Sequence, residues 1–195
     1  MISGCVNLYG QGNLLKQTLP ALRRVVDYLI VIEGPYADFS YKEVMTPDDL
    51  VFIHALADTV ISKPCWNTEI EKRNVYLRLV PRRSYAFIVD ADEEVVGQLP
   101  RGLTADAYRI PLYEKGKLKN NLLRLIKKTL DLEIRDCHNY YWQGETLLNQ
   151  IEWPILSGIH LNHLLDSTKG RKQAKADYYQ RLRAREKPYR EKYGE

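Results

Sequence analysis

The residues best equipped for chemistry lie in "YAFIVDADEEV", residues 85–95, where an apolar run ends in Asp90, Asp92, Glu93 and Glu94. Carboxylates this close repel one another, so the cluster is expected to meet solvent, a metal or a substrate proton. In an extended chain residues i and i+2 point the same way, which lets Asp90 and Asp92 converge while Ala91 turns aside. Two hard oxygen ligands suit Mn²⁺ or Mg²⁺, leaving other positions to water and phosphate oxygens. A calcium loop starting at Asp90 would need Gly at 95 and Glu at 101, where the chain has Val95 and Arg101. The plainer alternative is a set of loop carboxylates that cap the next turn.

Further candidates flank this cluster. The segment "NTEIEKRNVYLRLV", residues 67–80, is read as a helix with Asn67 as N-cap and Glu69 and Glu71 in its first turn. Its apolar stripe includes Ile70 and Leu77, and Arg73 and Asn74 interrupt that stripe from inside. Buried Arg and Asn are costly unless paired. They either satisfy carboxylates and backbone in the core or border a polar cavity near Asp90 and Asp92. His160 and His163 in "SGIHLNHLLD" add imidazole, a competent Mn²⁺ ligand, although a pair spaced by three need not share a face. Lys169, Arg171 and Lys172 follow and suit diphosphate charge. Gly10 and Gly12 lack the rest of a G-x-G-x-x-G or Walker A pattern.

These groups need a scaffold, and the first half of the chain alternates strand and helix. Strands are expected at 2–9, 28–34, 51–55 and 85–90. A helix carrying Leu15, Leu19, Leu22 and Val26 follows the first strand, with a kink or early break at Pro20. Uninterrupted β-branched runs suit strands covered on both faces. The expected fold class is therefore α/β, a Rossmann-like open sheet flanked by helices. Ligands in such sheets bind beyond the carboxyl ends of the strands, where Glu33 and Asp90 stand. Later strands are expected at 107–114, 122–129 and 154–163, and a polar helical tail from about Ser167. No repeat or low-complexity linker divides the chain, so residues 1–195 are read as one domain. Within it, 1–97, 98–165 and 166–195 differ in character.

With 195 residues, 45% hydrophobic and 28% charged, the composition is that of an ordinary globular protein. No apolar run approaches the roughly 20 residues of a membrane span. Three scattered cysteines and no secretory pattern at the N-terminus suit a cytoplasmic protein. The net charge of +4 is concentrated in the tail, where residues 166–195 hold ten Lys/Arg against five Asp/Glu.

The combination W-x-x-E-x-x-K-R-N (Trp66, Glu69, Lys72, Arg73, Asn74) followed by "FIVDADEEV" resembles family 2 glycosyltransferases of the GT-A fold. The opening "GCVNLYGQ", with Asn7 and Tyr9, and the segment "YLIVIEGPYAD" fit as well. The resemblance implies a mixed GT-A sheet and a metal-dependent hexosyltransferase using a nucleotide-diphosphate sugar, a UDP- or GDP-sugar, as donor. Glu33 takes the place of the aspartate that ends the family's second strand, and Asp38 matches the aspartate of the following turn. By resemblance Asp92 is the main metal ligand, Asp90 contacts ribose or metal, and Arg73 approaches the phosphates or holds Asp90. His160 is favoured over His163 as the histidine ligand.

A base for the acceptor hydroxyl is expected among Glu145, Asp136 and Glu93. Tyr140, Tyr141 and Trp142 are read either as a sugar-stacking platform or as an aromatic anchor. The acceptor and the oligomeric state have no signature. Two other functions compete: nucleotidyl transfer on a similar fold, and nucleic-acid binding through tail cations interleaved with Tyr178, Tyr179, Tyr189 and Tyr193.

Overall fold

The structure, a computed structural model, describes residues 1–37, 39, 45–164 and 171–193, with only the backbone of Arg171 and Lys172. The elements run β1 (Ile2–Leu8), α1 (Gly12–Arg23), β2 (Tyr28–Glu33), α2 (Pro47–Leu56), β3 (Thr59–Ser62), α3 (Glu69–Leu79), β4 (Tyr85–Asp90) and β5 (Glu93–Gly97). They continue with β6 (Ala107–Glu114), β7 (Lys117–Lys127), β8 (Leu132–Ile134), β9 (Tyr141–Gln143), β10 (Thr146–Leu147), β11 (Ile159–His163) and α4 (Arg171–Tyr193).

The larger sheet has the order β3-β2-β1-β4-β7-β6-β11-β5, and β8, β9 and β10 form a small second sheet. β3, β2, β1 and β4 are parallel, as the continuous apolar runs of β2, β1 and β4 anticipate, whereas β7 meets both β4 and β6 antiparallel. Alternation splits the parallel strands between two cores. Val6, Leu8, Val31, Phe87 and Val89 pack with Leu15, Leu19 and Leu22 of α1. Cys5, Ile30, Ile32 and Ile88 pack with Tyr76 and Leu77 of α3. The register sets Asn7 opposite Asp90 and Leu8 opposite Glu33, so three strands deliver their carboxyl ends to one edge. Among the described residues no helix is long and apolar enough to cross a membrane.

Several local expectations give way. Residues 51–55 belong to α2, not to a strand. Thr46 caps that helix by accepting from the Asp49 N–H, Asp49 accepts in return from the Thr46 N–H, and Pro47 opens the first turn. Only Ile53 of this helix is buried, and the third strand comes later, at β3. α1 passes through Pro20 without a break, held by Leu15, Leu19 and Leu22 in the core. Thr68, one residue beyond Asn67, caps α3 by accepting from the Glu71 N–H. Of 154–163 only β11 is strand, and β5, absent from the sequence reading, pairs antiparallel with it.

Candidate functional site

Asp90 ends β4 between two arginines. Arg73 Nη2 donates to its Oδ1 and Arg124 Nη2 to its Oδ2, each at 2.7 Å. Arg124, in the middle of β7, also donates to Glu93 Oε1 at 2.6 Å, while Glu93 Oε2 accepts from the Asp90 N–H at 2.9 Å. Arg73 is fixed from behind by Glu69, one turn earlier on α3, at 2.8 Å. Burial alone would raise the Asp90 carboxyl, but Arg124 and then Arg73 outweigh it and hold it well below the usual carboxylate range. Asp90 is therefore an anion locked in place. Glu93 is 3% exposed, turned to internal partners and not among the residues that line the cleft described below, so the structure does not present it to an acceptor there.

Asp92 lies on the turn into β5 and meets α4. Lys175 Nζ donates to its Oδ2 at 2.6 Å, and His163 Nε2 stands 3.5 Å from the same oxygen. The hydrogen bond to Asp92 is the largest cause of the raised pKa of His163, whose Nδ1 lies 3.2 Å from Glu114 Oε1. His160 packs its ring edge-on to Tyr113 instead, because an odd spacing along β11 sends the two histidines to opposite faces. The histidine beside Asp92 is thus His163, and the preference for His160 is reversed. Among the described residues no group of three or more His, Cys, Asp or Glu converges as metal ligands. Asp90 has both oxygens on guanidinium groups and Asp92 holds an ammonium, so the pair as arranged does not fit Mn²⁺ or Mg²⁺.

A small cleft of about 80 Å³ opens at this cluster, lined in part by Asn7, Arg73, Asp90, Asp92, Lys175 and Tyr178. A larger, mainly apolar groove of about 850 Å³ runs past the ends of β2 and β3, bordered by Glu33, Pro35, Met45 and Cys65. Tyr9, Tyr36 and Phe39 border both. Asn7 is 7% exposed; its Nδ2 donates to the Tyr36 hydroxyl at 2.6 Å, and its buried Oδ1 has no hydrogen-bond partner among the described residues. A buried acceptor left open costs stability unless a ligand supplies the donor.

Other expected site residues serve the scaffold. Trp66 donates from its indole to the Glu33 carbonyl at 2.8 Å and braces the Gly34–Ala37 turn through the Pro35 carbonyl and the Ala37 N–H. Asn74 grips β8, donating to the Ile134 carbonyl at 2.9 Å and accepting from the Ile134 N–H at 2.8 Å. Neither reaches the cleft. Glu145 has a 97% exposed side chain beside Arg135, and Asp136 meets the Tyr193 hydroxyl at 3.4 Å, so neither candidate base lines the cleft. Tyr140, Tyr141 and Trp142 are buried and act as the aromatic anchor. Tyr178 is buried against Tyr36 and Phe39, and Tyr193 packs on Tyr140 and Trp142, so these tail tyrosines are not presented to stack on bases. Asp38 and Lys169 lie outside the described residues, as does the side chain of Arg171.

The structure gives roles to residues that the sequence left without one or placed elsewhere. Arg124, a lone cation within the apolar "LLRLI", carried a signal of the same kind as Arg73. Lys72, fully buried, donates to the Gly34 carbonyl at 2.6 Å and to the Leu8 carbonyl, tying the ends of β1 and β2 together. Lys175 carried no signal, because nothing local separates it from the other tail cations. Tyr178, which donates to Glu69 Oε2 at 2.9 Å, was placed with the wrong partners.

No family model matches the chain, and no curated protein does. Solved structures do. The crystal structure of S. aureus TarS 1-349 in complex with UDP-GlcNAc is 13% identical, with a TM-score of 0.58, covering 94% of this chain and 65% of that one. The same protein in complex with UDP is 14% identical, with a TM-score of 0.43, covering 60% of this chain and 37% of that one. The chain thus spans between about a third and two thirds of the length of these structures. The shared feature is the fold, an open mixed sheet flanked by helices with a C-terminal helix, in keeping with the GT-A class. The likeness is one of fold alone and assigns the chain to no family.

Proposed function

We propose that the chain is a glycosyltransferase that takes a hexose from a nucleotide-diphosphate sugar and passes it to an acceptor hydroxyl. The observation that carries this reading is the convergence of Asn7, Arg73, Asp90 and Asp92 beyond the carboxyl ends of β1 and β4, beside an apolar groove. The same fold in TarS is known in complex with UDP-GlcNAc, which favours a UDP-sugar as the first donor to try. In this reading the nucleoside lies along Glu33, Tyr36 and Phe39, and the open Asn7 Oδ1 accepts a hydrogen bond from it. The diphosphate then faces Arg73 and the Asp92 side of the cleft. Asp90 positions Arg73 rather than touching the phosphates itself. Metal dependence, expected from the Asp90/Asp92 pair, does not enter the proposal, because Asp92 already holds an ammonium.

Calorimetry of the full chain with UDP- and GDP-sugars tests the reading. Saturable binding of one of them is expected, weakened roughly tenfold in an Asn7→Ala variant that loses one buried acceptor. Absence of binding to every donor refutes it. Release of pyrophosphate from a nucleoside triphosphate would point to nucleotidyl transfer instead.

A further inference from the structure

We propose that Lys175 does the work of a divalent metal in this site, so that transfer proceeds without one. The inference rests on the glycosyltransferase reading and deepens it.

The argument is one of charge and space. Lys175 Nζ is 2.6 Å from Asp92 Oδ2. A Mg²⁺ ion bonds a carboxylate oxygen at about 2.0–2.1 Å, so an ion on that oxygen would press against the ammonium. The remaining acidic partner offers no better seat, since each oxygen of Asp90 accepts from a guanidinium at 2.7 Å. The four carboxylates of Glu69, Asp90, Asp92 and Glu93 already face three fixed cations, Arg73, Arg124 and Lys175. That count leaves a dication at most one uncompensated negative charge to attract it. Arg73 and Arg124 are 4% exposed and locked into the protein, whereas the Lys175 side chain is 34% exposed and lines the cleft. Of the three, Lys175 is the most exposed at the cleft, and Asp92 keeps it in place.

Position on α4 is secured independently of the ion pair. Tyr178, one turn further along, stacks on Tyr36 and hydrogen-bonds Glu69, and Leu182 and Glu186 continue the buried stripe at spacings of four. Helix and ammonium are therefore delivered to the cleft together. In the transfer step the bond from the anomeric carbon to the diphosphate oxygen breaks, and its electron pair leaves on that oxygen. The acceptor hydroxyl oxygen forms the new bond to carbon and its proton passes to solvent. Lys175 stays protonated and donates a hydrogen bond to the leaving diphosphate, stabilising the charge that grows there. Nothing is oxidised or reduced.

The test uses the full chain, UDP and UDP-GlcNAc, with EDTA or with Mn²⁺. UDP binding is read by calorimetry, and slow donor hydrolysis, with water as acceptor, by release of UDP. Binding and hydrolysis in EDTA within about twofold of those in Mn²⁺ are expected, together with a free Mn²⁺ resonance signal that the protein does not quench. Lys175→Met should weaken UDP binding roughly ten- to a hundredfold, the loss of one charged hydrogen bond, and Lys175→Arg should recover part of it. Binding that appears only with Mn²⁺, or a Lys175→Met variant that binds UDP like the parent while folded, overturns this inference and leaves the donor reading standing. No binding of either nucleotide under any condition removes both.

Discussion

Substituting Asn74 by alanine separates a scaffold role from a ligand role. The side chain closes two hydrogen bonds to one residue of β8, at 2.9 Å to the Ile134 carbonyl and 2.8 Å from its N–H. Ile134 is 1% exposed, so water cannot replace the lost partner easily. Each orphaned buried group costs about 1–3 kcal/mol, and some relaxation of the edge of α3 brings the pair to about 2–4 kcal/mol. For a chain of this size 1 kcal/mol moves Tm by about 2–4 °C, which places the expected fall at roughly 5–15 °C. Asn74→Asp keeps an acceptor for the Ile134 N–H but sets a carboxylate against its carbonyl, so it should not restore stability. Thermal unfolding followed by circular dichroism, with donor binding measured on the folded variant at low temperature, checks both halves. An unchanged Tm combined with lost donor binding would refute the reasoning, because it would return Asn74 to the site.

Three further outcomes follow from buried charge and backbone. Arg124→Met leaves Glu93 and one oxygen of Asp90 without their cation in the interior, Asp90 keeping Arg73; a urea titration should show about 3–5 kcal/mol less stability, and a value near zero would contradict the central role given to this cation. Gly34 has φ +120° and its added Cβ would collide with the Lys63 backbone carbonyl, so Gly34→Ala should lower the unfolding midpoint and loosen the groove beside it. Glu186 accepts from the His138 N–H at 2.8 Å and pairs with the His138 ring at 2.9 Å. Burial alone would raise its pKa, but the contacts to His138, and after them Arg190, bring it from 4.5 down to about 2. A depressed carboxylate contributes stability above its unfolded value and loses it as pH falls towards its folded one, here between pH 4.5 and about 2. A shift of this size corresponds to about 3 kcal/mol, and acid titration of Glu186→Gln should lack that portion of the pH dependence.

Much of the architecture was legible in the chain. Unbroken apolar runs at 28–34 and 85–90 required strands covered on both faces, and Asp90 had to sit at a carboxyl end because its run stops there. The interruption of the helical stripe by Arg73 correctly announced a buried cation in need of a partner. The same rule could not tell Arg73 from its neighbour Asn74, since one residue of rotation, about 100°, decides which of two cores a side chain enters. The misread strand at 51–55 had the opposite origin. Its β-branched residues suggested extension, but the capping box of Thr46 and Asp49 lies just outside the segment and settles it as helix.

Local pattern, then, determined three of the four strands of the parallel half, the acidic turn and the buried arginine, because parity, caps and apolar runs act over a few residues. Only the tertiary structure decided who meets whom. β7 and α4 come to the Asp90 turn from 34 and 83 residues away in sequence, bringing Arg124 and Lys175. No spacing rule spans such distances, since which cation reaches a carboxylate depends on strand order and on the docking of a helix. That docking turned a pair of acids that looked open to a metal into a pair already occupied by ammonium and guanidinium.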